Sequence, residues 1–150
     1  MAAIDTAVVV THLVFAGIWT GSAVFVAMWV VPLAREGSLN AEPLANIAGS
    51  LRRISRISAV VLLFTGGHLA GTRYTVESLF GSRAGWLVLC MLGLWLLLAA
   101  LIEIGTGRLV DGAADRKVRA PARSARRPLL AAVIVAVLLL VDGGLLTAMP

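Results

Sequence analysis

The chain has 150 residues, of which 59% are hydrophobic and only 14% are charged, and its formal net charge is +5. Its mean hydropathy of +0.94 excludes a soluble globular domain and predicts an integral membrane protein. A single cysteine, Cys90, excludes an internal disulfide and any CxxC site. Four apolar segments, 7–31, 54–72, 84–105 and 128–148, are each near or above the ~20 residues that cross a bilayer, and the second is predicted to belong to a longer helical span, 43–72. They predict a single domain, 1–150, folded as an all-α, antiparallel four-helix membrane bundle.

The first span contains a histidine, His12, whose ring is unfavourable to bury in lipid. An ionisable side chain inside a membrane span is a candidate functional group. Trp19 lies two turns deeper on the same helical face, where it is predicted to form the floor of a site at His12. The structural alternative is that His12 only hydrogen-bonds a neighbouring backbone or carboxyl group.

The second span is predicted to begin near Pro43, which suits the first position of a helix and has Asn40 as a capping neighbour. Its last turns contain His68, with Gly67 and Gly71 close by. Glycines leave room for a flat cofactor beside the backbone, but membrane helices also use them for close packing. Both interpretations of these glycines stay open.

The third span carries Cys90 near its start and Glu103 near its other end. Cys90 is either a small core residue or an alternative metal ligand. Glu103 is predicted to pair with Arg108 or with the arginines of the second span. In the fourth span Asp142 lies near the C-terminal end, where it is predicted to hydrogen-bond a metal-bound imidazole.

The thirteen basic residues are distributed unevenly along the chain. All except Arg73 and Arg83 lie between the first and second spans, in the first turns of the second span, or between the third and fourth spans. Because basic connections stay in the cytoplasm, both termini are predicted to lie outside, in a multi-pass protein of the cell membrane. The basic segment 116–127 has no aromatic residue to stack on bases. Its predicted partner is therefore the lipid bilayer and not a nucleic acid.

This orientation brings one polar or ligating group of each span to a similar depth. His12 lies about five residues into the first span and His68 about four residues from the end of the second, so their depths differ by only a few ångströms. Cys90 and Asp142 fall in the same layer near the outer face. We therefore expect these side chains to surround one site.

A haem b held by His12 and His68 is the first functional hypothesis. Two imidazoles on opposite sides of the flat ring are suitable axial ligands. Arg73 and Arg83 are the basic groups placed to bind the haem propionates. Such a protein would transfer electrons or carry out a haem-dependent oxidation with a redox partner. Since no general acid or nucleophile is identifiable, the sequence leaves enzymatic activity open.

Three segments resemble known membrane families. The first span, with His12, Trp19 and Gly21, resembles the H-x6-W-x-G opening of the CopD-type copper-resistance membrane domain and of HemJ-type protoporphyrinogen oxidases. Residues 52–66, with a basic entry and a terminal Thr-Gly, and residues 85–90 resemble the second and third spans of the same group. The resemblance covers roughly residues 12–110.

The resemblance implies two different ligands. A HemJ-type protein implies a first-span histidine that binds haem b and a lysine in the third span, where this chain has Cys90, and that difference argues against protoporphyrinogen oxidase activity. The CopD resemblance implies copper uptake or passage, with His12, His68 and Cys90 as ligands. The second hypothesis is thus a copper-binding or copper-transporting membrane protein. The third is a structural subunit of a membrane complex, or of a homo-oligomer, in which the histidines only pack.

Overall fold

The computed structural model describes residues 2–148, which are almost entirely helical and contain no strand. The helices are α1 (Ala2–Phe25), α2 (Val31–Glu36), α3 (Ala41–Arg73), α4 (Val76–Gly81), α5 (Arg83–Ala114) and α6 (Arg119–Ala148), with a π-helical turn, Val26–Val30, between α1 and α2. Four helical segments are long and apolar enough to cross a membrane. The prediction of an all-α bundle with four membrane-spanning helices is confirmed.

Many large apolar side chains lie on the surface of the bundle. Phe64 is 73% exposed, and Leu13 and Ile134 are each 62% exposed. A continuous apolar surface of this kind is unfavourable in water, whereas lipid tails cover it readily. The exposed side chains therefore agree with a multi-pass membrane protein.

The π-helical turn lies just before Pro32, between α1 and α2. Proline has no backbone N–H, and its ring collides with the carbonyl group four residues earlier, here that of Met28. The wider turn Val26–Val30 accommodates this defect, so that α1 and α2 continue as one rod, Ala3–Glu36. Gly37 ends the rod at a φ of 83°, a conformation that favours glycine.

The long helices extend beyond the predicted apolar spans. α3 begins at Ala41, which puts Pro43 at the third helical position instead of the first. α5 continues to Ala114 and α6 begins at Arg119, so most of the predicted basic connection 106–127 is helical. The predicted helix boundaries were placed where each apolar run begins and ends. The helices extend further because arginine and alanine favour helix outside the hydrocarbon as well.

α5 and α6 pack closely because two glycines of α5 face α6. A Cβ on Gly105 would lie 2.6 Å from Leu129 Cγ, and a Cβ on Gly112 would collide with the ring of Pro121. Small residues at such positions let the backbones of membrane helices approach each other. After this contact Arg116, at a φ of 55°, turns the chain from α5 into α6.

α3 makes polar contacts with its neighbours at both ends. At one end Glu103 of α5 accepts hydrogen bonds of 2.6 Å from Arg52 Nε and from Arg56 Nη2. At the other end Thr65 and His68 face α1. We call these the arginine end and the histidine end of the bundle. The predicted pairing of Glu103 with the arginines of the second span is confirmed.

The buried core lies toward the arginine end. The buried residues of α3 run from Leu44 to Leu62, and those of α5 run from Leu98 to Ala113, with Gly85 as the exception. The last turns of α3, which carry the contacts of Thr65 and His68 to α1, contain no buried residue. The histidine end is therefore the more open part of the described chain.

Candidate metal centre at the histidine end

His12 lies on the face of α1 that packs against α3. Its Nδ1 is 2.7 Å from Thr65 Oγ1, and its Cε1 would lie 3.2 Å from a Cβ on Gly66. The Thr65 hydroxyl donates its own hydrogen to the carbonyl oxygen of Val61, 2.7 Å away. Because that hydrogen is already used, we assign the hydrogen between His12 and Thr65 to Nδ1. This tautomer leaves the lone pair of His12 Nε2 available to a metal ion.

His68 lies one turn beyond Thr65 toward the histidine end of α3. Its Nε2 is 3.4 Å from Asp5 Oδ1 of α1. The side chains of His68 and Asp5 are 42% and 48% exposed. A contact this long and this exposed contributes little to stability. The pair is therefore an accessible nitrogen and oxygen at the mouth of the bundle.

The two histidines contact different partners along one seam between α1 and α3. Asp5 precedes His12 by two turns on α1, and Thr65 precedes His68 by one turn on α3, so the two contacts follow each other along the seam. Within residues 2–148, no group of three or more His, Cys, Asp or Glu side chains is arranged to hold a metal ion. The seam thus carries two neighbouring positions with one histidine each.

The packing beside His12 offers no slot for a haem on the side that faces α3. Thr65 and Gly66 lie directly against the imidazole there. Two cavities stand out among the described residues, and neither histidine lines either of them. A bis-histidine haem needs the two rings to face each other across the macrocycle. The arrangement of His12 and His68 therefore lends the haem hypothesis no support.

Trp19 and the glycines of the predicted pocket differ in their packing. Trp19 is 1% exposed, and its Nε1 donates a hydrogen bond of 2.9 Å to Ser55 Oγ of α3. It therefore lies on the α3-facing side of its helix, as His12 does. Gly67 and Gly71 are exposed, and a Cβ on either would meet nothing within 4 Å. The close approach to His12 is made by Gly66 instead.

The two arginines predicted to bind propionates flank the connection between the second and third long helices. Arg73 is the last residue of α3, Arg83 is the first of α5, and both are exposed. Between them lies α4, a short helix that was not predicted from the sequence. The Thr75 hydroxyl accepts a hydrogen bond from the Ser78 N–H, and the Ser78 hydroxyl accepts one from the Thr75 N–H. This reciprocal Thr-x-x-Ser spacing was the available sequence signal for α4.

Cys90 lies on α5 and Asp142 on α6, so neither belongs to the two helices that form the seam. Cys90 is exposed, so its interpretation as a core residue is wrong. Asp142 is 6% exposed, and its Oδ2 has no hydrogen-bond partner within the described chain. The predicted hydrogen bond from Asp142 to an imidazole is therefore not formed through this oxygen. Met91 Cε would lie 3.8 Å from a Cβ on Gly143, which puts Cys90 and Asp142 at similar depths.

The two side chains that contact the histidines were not predicted from the sequence. Asp5 lies seven residues before His12, and therefore on the same face of α1. Thr65 lies three residues before His68, on the same side of α3. Helical spacing from each histidine puts both residues on the faces that carry the histidines, but it does not pair them with their partners.

Comparison with known proteins gives one family. A family model described as CopD, copper resistance protein D, matches residues 45–146. The match includes His68, Cys90 and Asp142, and it begins after the first rod that carries His12. Neither the curated proteins nor the solved structures give a match. Because the match covers more than half of the chain, this membrane protein belongs to the CopD, copper resistance protein D, family.

Proposed function

We propose that this protein binds copper ions at the histidine end of its bundle and passes them toward the membrane interior, as part of copper resistance. Copper is the cargo in this proposal. The observation that carries it is the family match, which covers the helices from α3 onward. Imidazole nitrogens suit copper, and both histidines of the chain lie at the same end. The whole chain, 1–150, would act as one domain.

The pair of His68 and Asp5 is the proposed position of first contact. Nε2 and Oδ1 are 3.4 Å apart, and both side chains are accessible. Two ligand atoms bound at ~2.1 Å to one metal ion in tetrahedral geometry are themselves ~3.4 Å apart. The carboxylate also attracts a cation before the ion is bound. This spacing supports a site in which one copper ion lies between the two side chains.

His12 is the proposed next ligand along the seam. Thr65 accepts the Nδ1 hydrogen, which orients the ring and leaves Nε2 free. A hydrogen bond to the far nitrogen is the usual way in which proteins orient a metal-binding imidazole. An ion that moves from His68 to His12 would advance by one to two helical turns, roughly 5–10 Å. Cys90 lies on α5 and is the alternative ligand.

The proposed orientation puts the arginine end in the cytoplasm. The basic residues of both long connections lie at that end, and such connections stay inside. Copper would then meet His68 and Asp5 from the outer face of the cell membrane. A HemJ-type activity is not part of the proposal, because the third span has no lysine.

Copper binding by the purified full chain in lipid nanodiscs tests the proposal. We expect His68→Ala and Asp5→Asn to weaken binding about 10- to 100-fold, because the first removes the ligand nitrogen and the second removes the negative charge that attracts the cation. His12→Ala should abolish transfer of copper into vesicles. Glu77→Gln is the matched control for Asp5→Asn, since Glu77 is an exposed carboxylate of α4 at the same end. Cys90→Ala tests the alternative ligand.

Four outcomes distinguish the hypotheses. Loss of binding in the histidine variants, with binding retained in Glu77→Gln, supports the copper site. Unchanged binding in His12→Ala, His68→Ala and Asp5→Asn overturns the ligand assignment. A Soret band, with sharp alpha and beta bands on reduction, would support the haem hypothesis instead. Neither copper nor haem in the wild-type protein would favour a structural subunit.

A further inference from the structure

A second polar site lies at the arginine end, between α2 and α6. A cavity of about 160 Å³ is lined by Pro32, Arg35 and Glu36 of α2 and by Arg123 of α6. One water molecule occupies ~30 Å³, so the cavity has room for several waters or for one small anion. Two guanidinium groups and one carboxylate make its walls polar.

Arg35 is the residue that indicates a ligand. Its Nε is buried and has no hydrogen-bond partner within the described chain. It also takes part in none of the ion pairs of residues 2–148. Buried N–H donors are nearly always paired in folded proteins, so the acceptor for Arg35 Nε is expected to come from another molecule.

The charges around the cavity favour an anion. Arg119 lies beside Gly37, where a Cβ would be 2.5 Å from the Arg119 Nε, and it adds a third guanidinium group to this corner. Glu36 is exposed and pairs with no basic side chain in the part of the chain that the structure describes. The one carboxylate of the cavity therefore leaves an excess of positive charge.

The cavity also lies at a suitable depth for a lipid headgroup. Its α2 residues are at the end of the first membrane-spanning rod, Ala3–Glu36, and Arg123 precedes the apolar part of α6. Both segments leave the hydrocarbon at this level, where the phosphates of phospholipids lie. Basic pockets between membrane helices are known to bind anionic headgroups.

We propose that Arg35 and Arg123 bind the phosphate group of an anionic phospholipid. Guanidinium groups bind phosphate oxygens through two parallel hydrogen bonds, and Arg35 Nε provides a buried donor for one of them. A lipid held in this way bridges α2 and α6 and stabilises the arginine end. The site is independent of the copper proposal, because it uses none of the same residues.

Lipid retention and thermal unfolding of the full chain test the site. The chain in detergent is supplied with phosphatidylglycerol, with phosphatidylcholine or with inorganic phosphate, and retained lipid is counted by native mass spectrometry. We expect selective retention of phosphatidylglycerol and a higher unfolding temperature in its presence. Arg35→Gln and Arg123→Gln should each weaken retention about tenfold or more. Arg127→Gln, which changes an exposed arginine of α6 outside the cavity, is the matched control.

Arg35→Lys protects the test against a variant that fails to fold, because it keeps the charge and removes Nε. A selective loss of phosphatidylglycerol in this variant supports the proposal. Equal losses in Arg35→Gln and Arg127→Gln would overturn it, since diffuse surface charge would then explain binding. Equal retention of phosphatidylcholine and phosphatidylglycerol would also overturn it. Stabilisation by inorganic phosphate alone, dependent on Arg35, would keep the phosphate site but reject the lipid as its source.

Discussion

The two ends of the bundle hold their polar side chains in different ways. At the arginine end, Glu103 accepts short hydrogen bonds from Arg52 and Arg56, next to closely packed helices. At the histidine end, His68 and Asp5 are 3.4 Å apart and about half exposed. Packed neighbours and short hydrogen bonds stabilise the first arrangement, whereas the second leaves its nitrogen and oxygen atoms accessible.

This difference suggests a division of tasks along the bundle. Membrane helices associate through close packing and interhelical hydrogen bonds, since burial of apolar surface gives little advantage within lipid. A site that exchanges an ion needs side chains whose lone pairs are not already satisfied. The chain therefore concentrates its packing at one end and keeps candidate ligands at the other.

Trp19→Ala should weaken the packed part of the bundle most strongly. The indole is 1% exposed and donates a hydrogen bond to Ser55, so its removal leaves a cavity and an unpaired hydroxyl group. We expect the free energy of unfolding in mixed micelles to fall by about 3–5 kcal/mol. Trp29→Ala is the control on the same rod, because Trp29 is 58% exposed, and it should lose ~0.5 kcal/mol or less. Similar losses in both variants would contradict the idea of a packed core around Trp19.

Gly112→Ala should separate α5 from α6 at the arginine end. The added methyl group would collide with Pro121, and we expect a loss of about 1–3 kcal/mol in the free energy of unfolding. Gly107→Ala on the same helix meets nothing within 4 Å, and should gain up to about 1 kcal/mol through helix propensity. The two variants are thus expected to differ in sign in the same unfolding measurement. A higher free energy of unfolding in Gly112→Ala would contradict the close contact between Gly112 of α5 and Pro121 of α6.

Asp142→Asn should have the smallest effect and a favourable sign. Asp142 is 6% exposed and its Oδ2 is unpartnered within the described residues, so a neutral amide of the same shape relieves an unfavourable burial. We expect the free energy of unfolding to stay unchanged or to rise by about 1 kcal/mol. Asp111→Asn, an exposed carboxylate of α5, is the control and should change it by ~0.5 kcal/mol or less. A clear loss of stability in Asp142→Asn alone would reveal a partner for its carboxylate.

The depth of a side chain in the membrane was easier to predict than the side of the helix bundle that it faces. His12 and Trp19 lie seven residues apart, so one face of α1 carries both, and both contact α3. Cys90 lies near the depth that its position in the span predicts, yet it is exposed instead of buried. Counting residues gives the depth of a side chain, but the identity of the neighbouring helices decides whether it faces them or the lipid.

Ionic pairs were predictable where charge is scarce. Glu103 is an acidic residue inside a long apolar span, and its expected partners were Arg108 and the basic entry to the second span. The arginines of the second span are its partners, whereas Arg108 donates to the Ser124 carbonyl oxygen. The partner of His12 was harder to predict, because threonines and backbone groups that can serve an imidazole are common in these helices. Thr65 could be chosen only after α1 and α3 were brought together.

Four membrane-spanning helices, with polar residues at two levels, could be predicted from the amino acids alone. Transfer of about 20 apolar residues into lipid is favourable whatever the neighbouring helices are, so each span could be identified separately. The rotation and register of each helix depend instead on contacts between distant residues, such as His12 with Thr65 and Gly112 with Pro121. Lipid-facing and core-facing surfaces are both apolar, so hydrophobicity does not distinguish them, and packing between helices does.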